Sequence, residues 1–172
     1  WFARMIDGGE DPRYLARRMV RMASEDIAAA DPTALPLTLA AAEAYERLGT
    51  PEGELALAQA VVHLAMAPKS NAVYVAFKRA MAAAKESGSL LPPAHILNAP
   101  TRFMKDQLGY GKGYDYDHDA PDRFSGQNYF PDDMERQAFY QPTGEGAEAE
   151  LKARLERWTA LRKKRQAKGG KS

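Results

Sequence analysis

Three times in its first fifty-one residues the chain sets a capping side chain directly before proline: Asp11-Pro12, Asp31-Pro32 and Thr50-Pro51. Each pair offers an oxygen to the free N–H groups of a helix start, and proline loses nothing at the first helical position. Each pair also stops whatever precedes it. The spacing predicts helices from Pro12 to about Ala29, from Pro32 to just before Gly49, and from Pro51 to Ala67-Pro68. A further one is predicted from about Ser70 to Glu86, with Gly88 ending it. Ala-rich patches at Ala28 to Ala30, Ala40 to Ala42 and Ala82 to Ala84 favour helix and close helix contacts. The fold class expected is all-α, with a compact helical bundle over residues 1–90.

The pattern changes after Leu90. Leu91-Pro92-Pro93 breaks the helical period, and Asn98-Ala99-Pro100-Thr101 opens a short helix ending at Gly109. From Tyr110 to Tyr140 no period is visible. That stretch carries Tyr110, Tyr114, Tyr116, Phe124, Tyr129, Phe130, Phe139 and Tyr140, too many aromatics for a disordered linker. It reads as a packed extension over residues 91–165. A last helix runs from about Gly146 to Lys164, with Leu151, Leu155, Trp158 and Leu161 as its apolar stripe. Residues 166–172 read as a frayed, disordered tail.

A chain of 172 residues can bury a core without disulfides or a structural metal. The lack of cysteine excludes thiolate catalysis, Cys-ligated zinc and iron–sulfur clusters. The apolar run Leu55 to Ala67 contains Gln59 and His63 and is too short to span a bilayer, so no membrane association is expected. With no signal segment visible, the expected location is cytoplasmic. Opening on Trp1-Phe2, already at helical spacing with Met5 and Ile6, the sequence reads as a piece of a longer protein.

Catalytic patterns fail on inspection. Gly169-Gly170-Lys171-Ser172 resembles the end of a phosphate loop, but Arg165 stands where the motif needs glycine. Gly109-Tyr110-Gly111-Lys112-Gly113 has neither a strand before it nor a long helix after it. Asp115, Asp117 and Asp119 start like a calcium loop, yet Ala120 and Gly126 occupy the positions of the required glycine and glutamate. His63, His95 and His118 are far apart, and His63 reads as a core residue. No catalytic, cofactor-binding or metal-ligating residue is expected.

Charge offers more. Residues 150–172 hold nine Lys/Arg and two Glu, a balance of +7, which leaves −6 on residues 1–149. Clustered cations are what a phosphate backbone requires. The candidates for such contact are Arg17, Arg18 and Arg21 on one helix face, then Lys69, Lys105 and Lys112, and the tail from Arg162 through Lys163 and Lys164. Glu25, four residues after Arg21, partly cancels the first group. A structural role is expected for Asp26. At 100° per residue it falls on the apolar face of the second helix with Leu15 and Met22, where a carboxylate must be hydrogen-bonded or paired. Asp31, Pro68, Ser70 and Asn71 are expected to be architectural, ending one helix and capping the next.

Several segments together carry a resemblance: Met22-Ala23-Ser24-Glu25-Asp26-Ile27 with Ala30-Asp31-Pro32; Leu57-Ala58-Gln59 with Leu64 to Asn71; Asn98 to Thr101 with Met104-Lys105 and Gly109 to Tyr114; Tyr129-Phe130-Pro131 and Phe139 to Thr143. Their order and spacing resemble the C-terminal region of the replication-associated recombination protein A family (RarA, or MgsA). These AAA+ ATPases are related to clamp loaders and to Werner-helicase-interacting proteins. The resemblance implies a collar-like helical domain plus a family-specific extension that assemble a homotetramer. It implies partners in the full-length context, namely DNA at forks, gaps or duplex ends and single-stranded-DNA-binding protein, and a nucleoid-associated location. ATP and magnesium would belong to an N-terminal part. Ala28 departs from the family, which often has glycine there; inside a helix the difference should matter little.

Overall fold

The computed structural model describes residues 1–98 and 100–169. Ala99, and with it one position of the Asn98–Thr101 motif, lies outside them, as do residues 170–172, the end of the expected tail and of the phosphate-loop-like motif. The proline-marked starts are realised to different degrees. Asp11 caps as expected, its carboxylate accepting from Arg13 N at 2.9 Å, and α2 runs Pro12–Met22 behind the short α1, Phe2–Asp7. α3, Ala34–Leu48, opens later than its proline, because Asp31 instead ties down Thr33, accepting from its N–H at 2.9 Å and its hydroxyl at 2.6 Å. α4 is Glu52–Met66 and α5 is Ala72–Ser87, followed by Gly88 at φ +67°. Thr101 caps α6, Arg102–Asp106. α7 spans Glu148–Gly169, continuing past the expected end at Lys164. The fold is all-α, with no strand among the described residues.

The chain packs as two compact units: Trp1–Arg79 with Phe139–Lys152, and Ala80–Ala138 with the chain from Ala153 onward. In the first unit the core is built from Met19, Ile27, Tyr45, Leu57 and Leu64, with Ala16, Ala23, Ala41 and Ala60 between them. The alanines let backbones approach, and Gly53 marks a close contact between α3 and α4: a Cβ there would come within 2.8 Å of Tyr45 Cα. Thr38 is fully buried and donates its hydroxyl to Ala34 O at 2.6 Å, so the one polar side chain facing this core from α3 is satisfied within its own helix.

The expected helix from Pro12 to Ala29 is not one α-helix. After Met22 the chain makes a π-helical turn, Ala23–Ile27, and a 3₁₀ turn, Ala28–Ala30. The wider turn rotates each residue by less than an α-helix does. It therefore carries Asp26 out of the apolar face into solvent and swings Ile27 into the core, where it is fully buried. This corrects the expectation that Asp26 sits on a buried face.

The same detour strains Ala28, which adopts φ +46° and ψ −118°, a region comfortable only for glycine. The expectation that alanine matters little there is overturned. Relief of strain worth about 1–3 kcal/mol exceeds the roughly 0.4–1 kcal/mol lost by loosening the unfolded chain. Ala28→Gly is therefore expected to stabilise the protein by about 1 kcal/mol, read as a higher denaturant midpoint at unchanged slope; a lower midpoint would contradict this geometry.

The second unit has little regular structure besides parts of α5 and α7 and all of α6. Its irregular segment is ordered by side chains. Asp117 accepts from Ser125 N at 2.6 Å, and Gln127 bridges Gly113 O and Asp115 N. Arg165 donates to Ser125 O at 3.0 Å and to Pro121 O at 2.5 Å.

Candidate functional site

Three of the sequence segments singled out above meet in the first unit. The backbone N–H of Ser70 donates to Asp26 O at 2.8 Å, joining the link after α4 to the π turn. Lys69 closes the end of α4 with its ammonium, which donates to Leu64 O at 2.7 Å and Ala67 O at 2.6 Å. Ser70 Oγ accepts from Ala72 N at 3.2 Å and so caps α5, while Asn71 O accepts from Val75 N at 3.0 Å. The strap 139–147 then lies along this junction. Ala147 N donates to Ala30 O at 2.8 Å. Gly146, at φ +53°, fits so closely that a Cβ would collide with Ala30 O and the Pro68 ring.

The strap is locked by Glu148, the first residue of α7, whose side chain is completely buried. Its carboxylate accepts from Ser70 Oγ at 2.8 Å, Tyr140 OH at 2.8 Å, Thr143 N at 2.8 Å and Thr143 Oγ1 at 2.6 Å. Burial by itself would push this carboxyl up. The bonds from Thr143, Tyr140 and Ser70 outweigh burial and hold its pKa below the ordinary carboxylate value. Tyr140 is pushed up to about 12 by burial and by its bond to Glu148. Beside the lock, Asp26, Lys69, Ser70, Asn71 and Thr143 line a solvent-open cavity of about 430 Å³. It holds a carboxylate, an ammonium, an amide and two hydroxyls, with no nucleophile–base pair among them; such a set suits polar recognition.

Of the expected structural residues, Asp26, Pro68, Ser70 and Asn71 come together here. Asp31 does not: it pairs with His63, Oδ2 to Nε2 at 2.8 Å, so His63 is a half-buried tie between the α3 start and α4. The cations are dispersed. Arg17 lies over the Tyr14 ring at 5.7 Å, Arg18 is exposed, and Arg21 pairs with Glu25 at 2.7 Å. Lys69 is spent on carbonyls. In the second unit Lys105, Lys112, Lys163 and Lys164 are exposed, whereas Arg162 is half-buried against Phe124 at 5.0 Å. Asp115, Asp117 and Asp119 do not gather, and among the described residues no three acidic or histidine side chains form a metal-sized group. Sequence reasoning missed Glu148 altogether. Spaced among Glu145, Glu150 and Glu156, it looks like one more solvated acid at a helix start, and its partner Ser70 is 78 residues away.

A family model described as the MgsA AAA+ ATPase C terminal matches residues 1–159. The chain belongs to that family. It is 54% identical over 162 residues to the replication-associated recombination protein A of Coxiella burnetii, covering 94% of this chain and 37% of the relative. Against the Escherichia coli K12 protein of the same name identity is 47% over 156 residues, or 90% of this chain and 35% of that one. The ATPase WRNIP1 of Dictyostelium discoideum is 42% identical over 144 residues, 82% of this chain and 16% of the relative. The chain thus spans little more than a third of either of these two bacterial relatives. No described helix is long and apolar enough to cross a membrane.

The lock makes a two-sided pH prediction. A depressed Glu148 pKa contributes stability that is full above the ordinary carboxylate value and is lost as pH falls through the native one. A raised Tyr140 pKa contributes stability that is full below 10.0 and is lost as pH climbs towards about 12. Urea midpoints across pH should fall at both ends. Glu148→Gln should flatten the acid limb and Tyr140→Phe the alkaline one. Glu148→Ala, which strands buried donors, should cost about 3 kcal/mol near neutrality.

Proposed function

We propose that this chain is the assembly domain of a AAA+ ATPase acting in replication-associated recombination, joining four copies without chemistry of its own. The observation that carries the reading is the outer face of α4. Gly53, Leu57, Ala60 and Leu64 face the core. On the opposite side Leu55, Val62 and Met66 are 77%, 64% and 82% exposed and fall on one line along the helix. A helix apolar on both faces suits burial on both, and a second copy supplies the missing partner. The names of the bacterial relatives support the setting. In the parent protein, ATP and magnesium would be held by an N-terminal part, with DNA at forks, gaps or duplex ends and single-stranded-DNA-binding protein as partners in the nucleoid.

Light scattering after size exclusion tests this. The chain should elute near four times 19.0 kDa at micromolar concentration. Val62→Glu with Met66→Glu should give monomers whose own stability changes by less than about 0.5 kcal/mol, since both side chains are exposed. A monomeric wild type, or a tetramer that ignores the double substitution, removes the reading.

A second reading, contact with a nucleic-acid backbone, is favoured by α7. Residues 153–167 hold six Lys/Arg and one Glu, a balance of +5, with Lys163 and Lys164 exposed. Binding should weaken with salt, and Lys163→Gln with Lys164→Gln should reduce the log–log slope by about 0.9 per lost duplex contact. An unchanged slope and affinity would exclude these lysines.

A further inference from the structure

In the second unit, Phe124 lies against one face of α7. Its ring is parallel to that of Trp158, 3° between planes and 6.0 Å between centroids, and the Arg162 guanidinium is 5.0 Å from the same ring. Trp158 and Arg162 are one turn apart on the helix and so share that face. Despite the stacking, Trp158 remains 41% exposed.

Two guanidiniums of this unit, Arg162 and Arg136, lie near enough for the charge of one to act on the other. Arg13, Arg21, Arg47 and Arg157 each have an acidic partner. Among the described residues no carboxylate pairs with Arg162 or Arg136. Arg162 Nε is buried without a hydrogen-bond partner, a state that calls for explanation. Burial and then the charge of Arg136 lower its pKa. The segment 124–130 gathers these groups: Phe124 holds Arg162, Tyr129 lies 6.1 Å from His95, and Phe130 carries Arg136 over its ring at 5.7 Å. Among the described residues, His95 Nε2 is the other buried side-chain nitrogen without a partner.

An exposed indole beside uncompensated guanidiniums calls for a ligand with a flat π face and an oxyanion a few ångströms apart. One nucleotide of a single strand has both, whereas in a duplex the base faces are covered by their neighbours. We infer that Trp158, Arg162 and Arg136 form a contact site for single-stranded nucleic acid, the base stacking on Trp158 and its phosphodiester held by the two guanidiniums. This rests on the backbone-contact reading above and adds to it a base-stacking platform and a preference for single strands.

The test uses the whole chain and three labelled probes: oligothymidylate, an abasic strand of the same length, and a blunt duplex. Oligothymidylate should bind about tenfold more tightly than the abasic strand. Trp158→Ala should abolish that difference and Trp158→Phe retain most of it. Arg136→Gln should weaken both strands and lower the salt slope by about 0.7. In a Trp1→Phe background, which leaves Trp158 as the sole indole, oligothymidylate should quench fluorescence; this readout needs no substitution in the site. Equal salt-dependent binding of thymidylate and abasic strands, or a Trp158→Ala protein that still distinguishes them, overturns the stacking site while leaving backbone contact standing. Failure to bind any probe in a salt-dependent way removes both.

Discussion

The junction of the first unit depends on one buried carboxylate. Among the described residues Glu148 has no cationic partner, and it would be costly to bury alone. Four hydrogen bonds make its burial favourable, and each comes from a residue that is thereby placed. Ser70 is pinned at the start of α5, Thr143 and Tyr140 are pinned in the strap, and α7 begins where the carboxylate is held. Gly146 lets the strap lie flat on Ala30 and Pro68. A chain segment with almost no regular structure is thus fixed to a helical core by polar contacts, and fully satisfied polar contacts are geometrically demanding. The cavity lined by Asp26, Lys69 and Asn71 keeps its shape because Ser70 and Thr143, in its wall, are also members of the lock.

The core above the junction works by a different rule. It uses few large side chains and many alanines, so its helices approach until Gly53 meets the α3 backbone. Small residues inward leave large ones to spare outward, and α4 carries Leu55, Val62 and Met66 on its far side. The same helix therefore presents one apolar face to the core and another to solvent, with no change in secondary structure. The family model it matches describes the C-terminal part of an AAA+ ATPase, and the chain covers 37% of the Coxiella burnetii relative.

Much of this was legible in the residues. Asp11-Pro12 caps as its chemistry demands, Thr101 does the same for α6, and Ala67-Pro68 and Gly88 stop helices where they stand, because capping and proline effects act over a few residues. The aromatic stretch from Tyr110 to Tyr140 signals packing through composition alone. Asp26 on an apolar face was itself a trace of the π turn: the conflict between its polarity and the 100° period is what the wider turn resolves.

What the sequence determined by itself was local: an all-α chain, its helix starts and stops, the charge contrast between body and end, and, through ordered motifs, its family. Tertiary structure alone decided which of many similar acids would be buried, that Ala28 would be forced to a positive φ, and that Arg162 would serve an aromatic ring. The reason is range. Caps and periods are settled by neighbours within a turn, whereas a residue such as Glu148 takes its meaning from Ser70, 78 residues away, and no spacing rule connects them until the chain has folded.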